Sequence, residues 1–306
     1  MMRVFPLLAV LCALTLSACS TFSINWREGN ADRLARPVFM LPRIISADGF
    51  NLKAFERVRA RGEMATIYIE GSEDTIGHGL RFKFNPTPAD LGGLKLAAFD
   101  SAPNVIYLAR PCQFRQKVVG FDDCPTELYL GAQMFAPSVI AAYNTALNQL
   151  KLRYNLAGFH VVGYGSGGGL AALLASNPTD VKSLRTVEGV LDLETFARRH
   201  GLPPYTGSIN PVDAALRLQN IPQMHYVRPI NGVVPADQFH SFAQAFVDDA
   251  CVGHRMVQVD ENNNVDWTAY WTDWSKDVPV CMGHPAPEKA RAARMRDVAP
   301  DIGPKK

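Results

Sequence analysis

One stretch concentrates the residues that could do chemistry: His160-Val161-Val162-Gly163-Tyr164-Gly165-Ser166-Gly167-Gly168-Gly169-Leu170-Ala171-Ala172. An apolar run feeds a glycine-rich turn and then an Ala/Leu-rich segment. A sharp strand-to-helix turn of this kind presents a nucleophile at its apex, and the N–H groups at the helix start stabilise an oxyanion. The chemistry would be acyl transfer. It needs a nucleophilic side chain at the apex, an imidazole to take its proton and an acid to orient the imidazole. The three glycines Gly167, Gly168 and Gly169 do not make a phosphate cradle, because no Lys-Ser/Thr follows them.

The elements that must position this turn are legible as short runs. Residues 65–70, 105–109, 159–164, 185–190 and 223–228 read as strands. Their brevity and apolar, β-branched content suit a parallel sheet covered on both faces. Val139, Ile140, Tyr143, Leu147 and Leu150 recur at helical spacing behind Pro137, and residues 170–175 and 238–247 read as further helices. Alternating strands and helices predict a three-layer α/β fold with a mostly parallel central sheet. With 306 residues, 47% apolar and 20% charged, the chain is long enough for one large α/β domain. Its formal net charge of +2 gives no reason to expect nucleic-acid binding.

The first residues address the chain. Arg3 precedes an apolar run from Val4 to Leu16, too short to span a membrane comfortably and laid out like a signal peptide. Leu16-Ser17-Ala18-Cys19 resembles the bacterial lipobox, which implies cleavage after residue 18 and lipid on Cys19. Ser20 in place of Asp implies an outer-membrane address facing the periplasm. The expected organisation is a lipoprotein signal over 1–18, a tether over 19–36, a body over 37–284 and a loose basic tail over 285–306. The tail holds six Lys/Arg against three acids. In an oxidising compartment Cys112, Cys124, Cys251 and Cys281 are expected as disulfides, with chain proximity favouring 112–124 and 251–281. The competing reading is zinc held by Cys251-Val-Gly-His254 and Cys281-Met-Gly-His284. We expect no metal and no cofactor.

The body resembles the α/β-hydrolase superfamily, and within it a group of bacterial extracytoplasmic hydrolase-like proteins. The resemblance rests on the glycine turn and on several further landmarks. These are Ile69-Glu70-Gly71, Ala109-Arg110-Pro111-Cys112-Gln113, Phe135-Ala136-Pro137, Gly207-Ser208-Ile209-Asn210-Pro211 and Val233-Val234-Pro235. It implies an α/β-hydrolase fold and three catalytic positions. The nucleophile position falls on Gly165, the acid on Asn231 and the base on Asn264, with Asn263 as a near alternative. None of these can play its part: glycine has nothing to attack with, and an amide neither carries the acid's charge nor accepts a proton near neutral pH. Ser166 is the candidate nucleophile of a rearranged site, although Tyr164 would then stand where such a turn needs a small residue. Otherwise Ser166 belongs, with Gly71 and Ser72, to an oxyanion-like pocket. Asp237 reads as a helix-start acid, and His240, His254 and His284 lie outside the matching loop.

Two functions follow as expectations. One is a catalytically degenerate, membrane-anchored lipoprotein acting in binding or as an envelope scaffold, with an envelope protein or lipid as partner. The other is an active serine esterase using Ser166 with a rearranged His and Asp. Trp267, Tyr270, Trp271 and Trp274 read as a helix face packed on the core or, more sharply, as an aromatic patch for a partner.

Overall fold

The computed structural model describes residues 26–72, 86–125, 127–177, 180–229, 232–262 and 264–282. Cys19, Asn231, Asn263, His284, the signal and the basic tail lie outside them. Eight strands form one sheet in the order β1-β2-β4-β3-β5-β6-β7-β8. They are β1 (Leu41–Ala47), β2 (Phe50–Val58), β3 (Met64–Ile69), β4 (Asn104–Leu108), β5 (Gly158–Tyr164), β6 (Val181–Val187), β7 (Gln223–Val227) and β8 (Val252–Met256). From β4 to β8 every pairing is parallel, while β1 and β2 form an antiparallel hairpin against β4.

Helices cover both faces. One face carries α1 (26–35), α2 (Gly92–Phe99) and α8 (Trp267–Trp274), whose Ala31, Leu94 and Trp271 share a core with Tyr68 and Tyr107. The other carries α3 (Pro137–Tyr154), α4 (Ser166–Ala175), α5 (Leu193–His200), the short α6 (Ala215–Leu218) and α7 (Asp237–Gln244). Helix α4 is buried along its whole length, which suits a segment with no polar face. Among the described residues no helix is long and apolar enough to cross a membrane.

Several expectations need correction. The tether does not extend to residue 36, because residues 26–35 are helical and Ala31 and Ala35 are fully buried. These alanines, four apart, let α1 lie close on the sheet, a signal masked by the five charged residues around them. The strand expected at 185–190 starts at Val181 and ends at Val187, because the backbone turns out of the sheet at Glu188 (φ 49). The β1–β2 hairpin was not expected, and neither was β8. The aromatic stripe is core: Trp267 and Trp271 are buried, and Tyr270 stacks on Trp274, which stacks on Tyr226. It offers no open aromatic patch at Trp267 or Trp271.

Both proximity-favoured disulfides are present, Cys112–Cys124 and Cys251–Cys281. The second joins the two thiols that the zinc reading required.

His225 on β7 is fully buried, with Nδ1 2.8 Å from Thr186 Oγ1. Burial pushes its pKa down to about 3, and His254 adds to the shift. The folded protein therefore keeps this ring neutral, while the unfolded chain protonates it near its ordinary value of 6.5. As pH falls below that value the unfolded state binds a proton the native state refuses, so stability is lost down towards pH 3 at up to about 1.4 kcal/mol per pH unit. His160, lowered by burial as well, acts in the same direction. Urea midpoints between pH 6 and 4.5 should fall, and His225→Gln should shed about one proton of that slope. An unchanged slope in the variant would show that His225 is not the buried neutral group.

Candidate functional site

The site is built at the carboxyl ends of β3, β5, β6 and β7. At the end of β5 the chain turns at Gly165, with φ 54 and ψ −125, directly into α4. Backbone bonds fix this turn: Gly165 N–H donates to Val187 O at 2.8 Å, and its carbonyl accepts from Gly168 N at 2.8 Å and Val190 N at 3.0 Å. The flanking glycines are required by closeness. A Cβ on Gly163 would lie 2.2 Å from Gly167 O, and one on Gly167 would lie 2.3 Å from Ile69 O. The small residues thus stand two before and two after Gly165, which places the apex at Gly165 and not at Ser166.

Ser166 is the first residue of α4 and is 3% exposed. Its hydroxyl lies 2.7 Å from that of Ser72, and its carbonyl accepts from Arg110 Nη1 at 3.3 Å. The structure thus brings Ser72 and Ser166, two of the three residues grouped from the sequence, into contact. Gly71 does not fit that grouping. Its N–H donates at 3.0 Å to the carboxylate of Glu70, which also accepts from Gly93 N, Leu94 N and Tyr107 OH. Glu70 is fully buried and anchors the start of α2. The Gly71 N–H, grouped with Ser72 and Ser166 from the sequence, is therefore turned onto a carboxylate, and a negative charge close by opposes a second one. Burial, and after it the charge and hydrogen bond of Glu70, raise Tyr107 well above its ordinary pKa.

At the ends of β6 and β7 stands a pair the sequence reading missed. Glu188 and Arg228 form an ion pair, and Tyr164 OH reaches Glu188 Oε2 at 3.4 Å. Burial raises the Glu188 pKa, while Arg228 opposes the rise. The available signal was Glu188-Gly189 directly after a strand, since a charged residue at a strand's carboxyl end borders the crevice of an α/β sheet.

The remaining candidates are dispersed. Asn264 is exposed, and its backbone and side chain both turn onto Asp260. Hydrogen bonds from Asn264 are the main cause that lowers Asp260. Asp237 begins α7 and pairs with Arg199 at 3.0 Å, as a helix-start acid. His240 and His254 flank Phe239, with ring centroids 6.3 Å apart. His160 bonds Ser183, and His200 bonds the Val233 carbonyl. Two cavities adjoin this region. One of about 260 Å³ lies between α2 and α8 beside Tyr164, lined also by Gly92, Lys95 and Trp267. The other, about 710 Å³, is bounded by α5 and the chain over 202–213. The second is of a size that takes small molecules.

No family model matches the chain, and no curated protein matches it in sequence. Solved structures do match. An esterase of Pyrococcus furiosus shares 12% identity over 80% of this chain and 94% of its own, at a TM-score of 0.53. An acetyl xylan esterase from Paenibacillus sp. R4 shares 13% identity over 81% of this chain and 91% of its own, also at 0.53. The ferulic-acid-bound Est1E of Butyrivibrio proteoclasticus shares 12% over 76% and 96%, at 0.51. The chain has the α/β-hydrolase fold, and at such identities the likeness establishes the fold alone.

Proposed function

We propose that this chain is a lipid-anchored protein of the bacterial envelope that uses an α/β-hydrolase fold without hydrolytic chemistry, its crevice serving binding or scaffolding. One observation carries the reading. The strained apex of the strand-to-helix turn is Gly165, a residue with no side chain. Removal of nucleophile and base leaves at most the weak catalysis of positioned dipoles, and here the Gly71 dipole is already spent on Glu70. In this reading Cys19 carries the lipid, and Asn231 and Asn264 stand where an acid and a base would be.

A second reading, a serine esterase built on Ser166, has two supports: the Ser72 hydroxyl at 2.7 Å and the esterase names of the structural neighbours. Turnover of p-nitrophenyl acetate separates the two. The proposal expects a rate indistinguishable from that of Ser166→Ala, and a wild-type rate well above the variant would favour the esterase. Metabolic labelling with an alkyne fatty acid tests the anchor, with incorporation expected in the wild type and lost in Cys19→Ser.

A further inference from the structure

The loop closed by the Cys112–Cys124 disulfide carries apolar side chains on its surface. Val119 is 72% exposed and Phe121 45% exposed, with Lys117 exposed beside them. The tip is held in shape. Val118 is buried and bridges to Phe50, Val119 N–H donates to Gly49 O at 2.7 Å, and Phe121 N–H donates to Val118 O at 3.2 Å. Gly120 supplies the positive φ of 91 that such a turn needs at its third position. An ordered backbone therefore holds two apolar side chains in water, where loops ordinarily carry polar ones.

The base of this loop is built into the crevice. Gln113 Nε2 donates to Gly71 O at 2.8 Å, and Phe114 N–H donates to Thr87 Oγ1 at 2.6 Å. Arg115 forms a two-pronged ion pair with Glu28, at 2.8 and 3.2 Å, and Arg27 donates to Thr87 O. The start of α1 is thereby pinned to the loop, and Trp26, 47% exposed, stands at that start. Six residues lie between Cys19 and Trp26, a span of at most roughly 25 Å fully extended. The β1–β2 turn at Gly49 lies on the same edge of the sheet as Gly165, because β2 runs antiparallel to β4.

We propose that the loop tip is a membrane-docking element: Val119 and Phe121 enter the interface of a bilayer, Lys117 meets its headgroup phosphates, and the crevice edge of the sheet is turned towards the lipid. The occupant is a bilayer because the short tether holds this edge next to one, which rests on lipid at Cys19. Trp26 adds the amphipathic ring favoured at the interface. Asp122 and Asp123, exposed directly after Phe121, limit the depth, since a carboxylate remains in water.

The test uses the lipidated full-length chain reconstituted in phosphatidylethanolamine/phosphatidylglycerol vesicles, with and without brominated acyl chains. Phe121→Trp places a reporter at the tip, and Val247→Trp places one at an exposed position near the start of β8, on the opposite edge. Phe121→Trp should lose fluorescence in brominated vesicles relative to the wild type, Val247→Trp should not, and adding Val119→Asp to Phe121→Trp should abolish the loss. Equal quenching at both positions, or none at Phe121→Trp in a chain that floats with the vesicles, overturns docking and leaves the anchor standing. A chain that does not float with the vesicles overturns both.

Discussion

Gly167→Ala should destabilise the protein by upward of about 3 kcal/mol, a large part of a typical domain's stability. The added Cβ would meet Ile69 O at 2.3 Å and Glu70 O at 2.5 Å, both backbone atoms of the neighbouring strand end. No rotamer change relieves a clash between a Cβ and a main chain. Relief would require α4 to move off β3 and break the packing of a fully buried helix. Gly165→Ala is the informative contrast. Its cost is that of a non-glycine residue at φ 54 and ψ −125, about 1–3 kcal/mol. Urea denaturation of the two variants should therefore rank Gly167→Ala well below Gly165→Ala. Equal losses would mean that the turn is not held as described, and the assignment of its apex would fall.

Trp271→Ala should cost about 3–5 kcal/mol. The indole is fully buried, its Nε1–H donates to Tyr68 OH at 2.8 Å, and Arg185 lies 5.3 Å over its ring. Tyr68 in turn donates to Asp100 at 2.6 Å, so truncation opens a cavity and disturbs a buried polar chain. Trp271→Phe should restore most of the packing and lose only the hydrogen bond, about 1 kcal/mol. Thermal unfolding of the two variants decides between core and surface. A Trp271→Ala protein as stable as the wild type would return this helix to the role of an exposed partner patch.

The glycine turn was legible in the sequence because its spacing is steric. Gly163 and Gly167 bracket the apex wherever the chain makes this turn, and they identify Gly165 without knowledge of the rest of the molecule. The disulfides were legible for a similar reason, since neighbours in the chain close short loops. The β1–β2 hairpin carried a readable signal that went unused: Asp48-Gly49, both at positive φ, is a favoured two-residue hairpin turn. Strand β8 carried none, because Gly253, His254 and Arg255 give an edge strand no apolar alternation. Glu70 was invisible in its role, since the N–H groups it holds at Gly93 and Leu94 lie 23 and 24 residues away. The Glu188–Arg228 pair spans 40 residues and was hidden in the same way. Local sterics reach the page of a sequence, whereas polar partners brought together by the sheet do not.

The central question is whether the turn carries a reactive oxygen. The direct measurement is fluorophosphonate labelling of the purified mature protein, wild type beside Ser166→Ala and Gly165→Ser. No labelling above background is expected in the wild type and none in Ser166→Ala. At most trace labelling is expected in Gly165→Ser, where a hydroxyl returns to the apex without a base to activate it. Stoichiometric labelling of the wild type that disappears in Ser166→Ala would contradict a turn without a nucleophile and make Ser166 a working one.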